Sequence, residues 1–153
     1  MQPPIPGAEH RRLETMAGEW EGEETTYASP VDSKGNTAIG RIHSRMGLDG
    51  FALIHDYERE RNGKVTFSGH GVFTYDSEQQ HYHLSWCDST GAPPTVFTGQ
   101  FAGDTLRLTY HGLGMHARLS HDLSAPGSIF VSMEMSEDGA TWAKLFDARM
   151  LKK

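Results

Sequence analysis

The chain has 153 residues, 20 of them acidic and 14 basic, and carries a formal charge of −6 with histidine neutral. This is one domain's length, and 37% hydrophobic residues together with 17 glycines make the usual apolar share of a globular chain, which excludes intrinsic disorder. No apolar run is long enough for a membrane-spanning helix, and the acidic balance argues against a nucleic-acid partner.

Residues 1–7 form a proline-rich arm without the basic and apolar regions of a secretory signal, so cytoplasmic residence is the expectation. Residues 8–17 read as a helix, with His10, Leu13 and Ala17 on one side and Gly18 as the stop. From Gly18 the period changes to two, and turn residues recur every ten to twelve positions. They separate ten strands, near 18–29, 37–48, 51–61, 64–75, 80–89, 95–101, 104–111, 114–123, 128–136 and 141–151. Asn62-Gly63 and Asp138-Gly139 are the strongest hairpin signals, because these residues tolerate the positive φ of tight turns.

Alternation assigns an inner face. It takes Phe51, Leu53, His55 and Tyr57 from one strand and Val65, Phe67, Gly69, Gly71, Phe73 and Tyr75 from the next. Later strands add Tyr82, Leu84 and Trp86, then Leu106, Leu108 and Tyr110, then Ile129, Val131, Met133 and Met135. The opposite phases are mainly polar. Ten consecutive antiparallel strands with short connections predict an all-β, up-and-down barrel of about ten strands with one short N-terminal helix, spanning 1–153 as a single domain, with the barrel over 18–151. Closure removes the edges that an open sheet would expose. A two-sheet sandwich is the alternative. Ten strands enclose room for a ligand unless large side chains fill it, and Gly69 and Gly71 on the inner phase either widen that room or relieve strand coiling.

Gly18-Glu19-Trp20-Glu21-Gly22, after a short helix and opening the first strand, resembles the G-x-W signature of the calycin superfamily, the lipocalin and fatty-acid-binding barrels. Together with Thr74-Tyr75-Asp76, Tyr82, Trp86-Cys87-Asp88-Ser89 and Asp138-Gly139-Ala140-Thr141-Trp142, it resembles an uncharacterised bacterial family catalogued as domain of unknown function 1579, over nearly the whole chain. That resemblance implies a barrel and little chemistry, with Trp20 plugging the barrel base. The opening is also similar to the nitrobindin type of haem-binding barrel, in which a histidine near the chain's end ligates the iron. Here the last histidine is His121 and the two closing strands contain none, so the resemblance leaves haem without its axial ligand.

Nine histidines invite a metal reading, and spacing must test it. His81 and His83 share one side of a strand with Cys87, a possible beginning of a zinc or copper site, but Tyr82, Leu84 and Trp86 claim the interior and put both histidines outside. Cys87 is the lone cysteine, which excludes an internal disulfide, and a buried thiol is the expectation. His55 and His121 fall on inward phases, as core residues or as polar anchors for a ligand. Glu19, Glu21 and Glu23 alternate opposite Trp20 and Gly22 and read as a solvated face. Whether Arg41, His43 and Arg45 or Ile42, Met46 and Leu48 face inward is left open. Asp88 and Ser89 would close a turn or face a ligand at the mouth. No nucleophile elbow, P-loop or zinc-protease motif occurs, and Gly112-Leu113-Gly114-Met115 lies between two strands, away from any strand-to-helix junction.

The resulting expectation is a non-catalytic barrel holding a small hydrophobic or amphipathic ligand, lined by Phe51, Leu53, His55, Tyr57, Phe67, Trp86, Tyr110, His121 and Met133, with no cofactor or metal assigned. The alternatives are an enzyme using His55 or His121 as acid or base, a haem- or metal-binding barrel, and a homodimer formed through a strand face or the rim.

Overall fold

A computed structural model describes residues 2–28 and 33–153. Helix α1 (Ala8–Arg12) tightens into a 3-10 turn, Leu13–Met16, and leads into β1 (Gly18–Thr26). There follow β2 (Asn36–Gly47), β3 (Ala52–Arg61), β4 (Lys64–Asp76), β5 (His81–Asp88), β6 (Thr95–Ala102), β7 (Thr105–Gly112), β8 (Met115–Asp122), β9 (Ser128–Ser136) and β10 (Ala143–Lys152). Each strand pairs antiparallel with the next, and β1 pairs with β10, so the sheet closes into a barrel and the sandwich alternative falls away. The expected strands end within a residue or two of the observed ones, except the first, which stops at Thr26; its expected position 29 lies outside the described residues, as does residue 1 of the arm. No helix among the described residues is long and apolar enough to cross a membrane.

Side-chain alternation supplies the core. Leu53, Phe73, Leu84, Leu106, Leu108, Ile129 and Met150 are almost wholly removed from solvent, each contributing about 1.5–3 kcal/mol of transfer free energy. Two glycines let the wall coil tightly. A Cβ on Gly22 would lie 2.0 Å from the Arg149 carbonyl oxygen, and one on Gly99 would lie 1.8 Å from that of Arg107.

One end of the barrel is sealed. The expected helix of 8–17 is α-helical only to Arg12, and the 3-10 turn that completes it places Leu13 and Met16, three residues apart, on the same side. Both are fully buried. Trp20 packs beneath them and donates its indole N–H to the Met16 carbonyl at 3.1 Å, while the Tyr82 hydroxyl donates to the Glu9 carbonyl at 2.8 Å. Phe51, expected on the inner face, belongs to this end instead. Leu48 and Asp49 take positive φ and swing the chain into a 3-10 turn, so Phe51 sits before β3 with its ring edge-on to His10, 5.0 Å between centroids.

Candidate functional site

At the opposite end, reached by the C-termini of β1, β3, β5, β7 and β9, the described residues form no such plug. Period-two alternation brings Tyr57, Phe67, Trp86, Tyr110 and Met133 to the inner phase near this mouth, and all five are only half-buried. Leu119 and Phe146 join them. Leu53, His55 and His121, the remaining expected lining residues, lie deeper and are buried. At the rim, Met115 is 41% exposed although its phase is inward, because the strand begins there, whereas Val65, expected on the inner face, points outward: a register shift in the β3–β4 pairing makes it the direct partner of Glu60, which bonds Arg41 on the outer wall.

Gly69 and Gly71 do not widen the lumen. The Trp86 indole lies over them: a Cβ on Gly69 would meet the ring at 2.1 Å, and one on Gly71 would meet Leu84 at 2.7 Å and the ring at 3.1 Å. The missing side chains make room for tryptophan. Asp88 fixes that ring by accepting its N–H at 2.9 Å, and also accepts from the Thr90 amide at 3.0 Å. Ser89 Oγ accepts the Ser68 amide at 3.0 Å. Of the two roles open to Asp88 and Ser89, the bonds show turn closure, with the positioning of Trp86 added. Burial tends to raise the Asp88 pKa, but the bonds from Thr90 and Trp86 outweigh it and hold the carboxyl below its usual range.

Below the mouth lie two polar groups. In the first, Ser44 Oγ and His55 Nδ1 are 2.8 Å apart, on directly paired positions of β2 and β3. The His121 ring stands perpendicular to His55, 6.3 Å between centroids, and both rings pack edge-on against Phe73. His121 Nδ1 is buried without a hydrogen-bond partner. Burial pushes His55 down to about 4, partly opposed by the Asp56 charge, and pushes His121 down to about 3, assisted by His55. Both imidazoles are therefore neutral at neutral pH.

In the second group, Glu24 is 1% exposed. It accepts the Tyr57 hydroxyl and lies 3.5 Å from Arg59 Nη1. Arg59 in turn stands over the Phe67 ring, 4.9 Å from its centroid. Burial, then the neighbouring Glu24 charge, raises the Tyr57 pKa, which keeps its proton in place as a donor to the carboxylate. Glu24, Arg59 and Ser44 were not among the expected site residues. Glu24 shares the phase of Trp20 and Gly22, and Arg59 that of His55 and Tyr57, so alternation carried to the strand ends locates both. Ser44 needed the phase of β2, which the structure settles: Ala38, Gly40, Ile42 and Ser44 are buried, while His43 and Arg45 are exposed. Arg41 is outside as well, within 3.5 Å of Glu21, Glu58 and Glu60.

The outer wall has its own features. A cleft of about 400 Å³ crosses β1 to β4, lined by Glu19, Arg41, His43, Asp56, Glu58, Ser68 and Lys153 along with residues of the alternate phase. Cys87 is exposed, contrary to the expected buried thiol. Its neighbour Trp86 occupies the interior, so the pleat turns Cys87 out, into the phase of His81 and His83. Those two histidines are on the outer wall as expected, with Nε2 atoms 2.8 Å apart. Where the nitrobindin resemblance would place a haem ligand, β9 and β10 offer no histidine; the inward pair comes from β3 and β8 and is packed ring to ring.

No curated protein matches the chain. Among solved structures, Rv2717c from M. tuberculosis superposes with a TM-score of 0.69 at 13% identity, covering 98% of this chain and 99% of that one. The S-type phycobiliprotein lyase CPES from Guillardia theta gives 0.63 at 11% identity, covering 97% and 98%. Identities this low establish a shared barrel fold and no more. The family description that matches, over residues 5–152, is "Protein of unknown function (DUF1579)", and the chain belongs to that family.

Proposed function

We propose that this barrel binds a small, partly apolar ligand at the mouth opposite its N-terminal plug. The observation that carries the reading is the asymmetry of the two ends: Leu13, Met16 and Trp20 seal one, while Tyr57, Phe67, Trp86, Tyr110 and Met133 leave half-buried aromatic and thioether surface at the other. Such surface with a few convergent polar groups is the usual make-up of a small-molecule site. Glu24, Tyr57 and Arg59 supply the polarity near the rim, and Ser44, His55 and His121 supply it deeper. A phycobiliprotein lyase has the same fold, but the reading rests on this chain's own mouth residues.

A second reading, acid–base chemistry in the lumen, draws on the Ser44–His55 contact. It is the weaker one, because His55 at about 4 and His121 at about 3 are poor bases at neutral pH, and His55 Nδ1 is turned to a hydroxyl instead of an orienting carboxylate.

Titration with the fluorescent amphiphile 1-anilinonaphthalene-8-sulfonate tests the first reading. Saturable one-to-one binding is expected, weakened on the order of ten-fold by Phe67→Ala or Met133→Glu through lost apolar contact. Leu151→Ala, on the outer wall near the sealed end, should leave it unchanged. Failure to saturate, or indifference to both mouth substitutions, would overturn the reading. Native mass spectrometry of protein purified from its own cells would then identify the natural ligand.

A further inference from the structure

The outer corner where β4 meets β5 gathers three side chains that the mouth does not use. We propose that Asp76, His81 and His83 bind a divalent transition-metal ion of the zinc class. Their ligating atoms lie within 4.8 Å of one another, and all three residues are half-buried. Strand geometry enforces the convergence. His81 and His83 are two apart on β5 and so project from one side, while Asp76 is the direct cross-strand partner of His81. The two imidazoles turn the same atom, Nε2, toward each other at 2.8 Å. A tetrahedral zinc ion with Zn–N bonds of about 2.1 Å separates its nitrogens by about 3.4 Å, so small side-chain rotations admit the ion between them.

The carboxylate is oriented in advance. Asp76 Oδ1 accepts the Glu78 and Gln79 amides at 2.9 and 3.1 Å, which leaves Oδ2 for a metal. The turn itself is pinned, since Gln100 on β6 donates to the Gln80 carbonyl at 3.0 Å. Backbone bonds to a ligating carboxylate play the orienting part that outer-shell partners play in established metal sites. Two imidazoles and one carboxylate suit zinc, cobalt or nickel better than calcium or magnesium, which take oxygen ligands. Three protein ligands leave the remaining positions to water.

Titration of the metal-free full chain with cobalt(II) chloride, followed by visible absorption, and with zinc chloride, followed by calorimetry, tests the site. One ion per chain is expected. His81→Gln and His83→Gln should each weaken binding at least ten-fold and Asp76→Asn several-fold. The His111→Gln/His116→Gln double variant, which removes the other close histidine pair, should bind as the parent does. All four variants alter surface positions, and thermal melting of the metal-free proteins confirms that each is folded. Absence of binding at millimolar cobalt, retention of parental affinity in both His81→Gln and His83→Gln, or loss in the His111→Gln/His116→Gln variant would each overturn the proposal. None of these outcomes bears on the mouth, because the metal ligands are on the opposite side of the wall from its lining.

Discussion

Trp86 shows how one residue's surroundings decide what its neighbours leave open. Two glycines on an inner phase meant either space for a ligand or relief of strand coiling, and the indole occupies that space. Gly69→Ala should therefore overpack the wall and cost about 1–3 kcal/mol in urea unfolding. In a Trp86→Leu background the same substitution should cost less than half as much; an equal cost in both backgrounds would show that the indole is not the obstacle. Glu24 follows from phase alone: it alternates with Trp20 and Gly22, so the pleat turns it inside, where Tyr57 and Arg59 compensate the buried charge. Cys87, expected to be a buried thiol, is exposed, because in the same pleat a residue next to an inward tryptophan points outward.

At the scale of elements, turns and periods did most of the work. Asn62 and Gly63 do take positive φ, as does Gly139, and the strands between such turns fall where alternation puts them. The N-terminal segment was harder. A ten-residue helix fitted the pattern, but only five residues are α-helical, since the segment docks on the barrel end and the 3-10 winding presents Leu13 and Met16 together. Their docking should dominate the segment's energetics. Leu13→Ala should cost about 2–5 kcal/mol, whereas Leu113→Ala, in a turn where the side chain is fully exposed, should stay within about 0.5 kcal/mol. Urea midpoints of the two variants separate a docked plug from a loosely attached one: similar midpoints would mean that the plug contributes little.

For the whole molecule, the buried histidines make stability depend on pH. Unfolded histidine titrates near 6.5, but His55 and His121 are held down to about 4 and about 3 in the fold. Between these values the unfolded chain binds more protons than the folded one, so stability is full above about pH 6.5 and falls as pH drops toward 4. Each ring should account for a loss of about 2 kcal/mol between pH 7 and pH 5. Urea unfolding across that range would show it, and His121→Phe should remove about half of the slope. A slope unchanged in that variant would mean that His121 is not held neutral by burial.

The sequence by itself determined the barrel: the number and order of strands, their antiparallel pairing and the inward residues of their central parts. These follow from turn chemistry and a period of two, both local properties. Only the tertiary structure decided which end is closed, that Phe51 belongs to that end, which phase of β2 faces inward, and that a glycine gap is filled by an indole from the neighbouring strand. Each of these depends on side chains that meet across strands or across a turn, and period-two alternation carries no record of which partner will arrive. The candidate site was therefore half legible. Tyr57, Phe67, Trp86, Tyr110 and Met133 could be placed on the inner wall from phase alone, but their common position at one mouth emerges only when the barrel closes and the N-terminal segment plugs the other end.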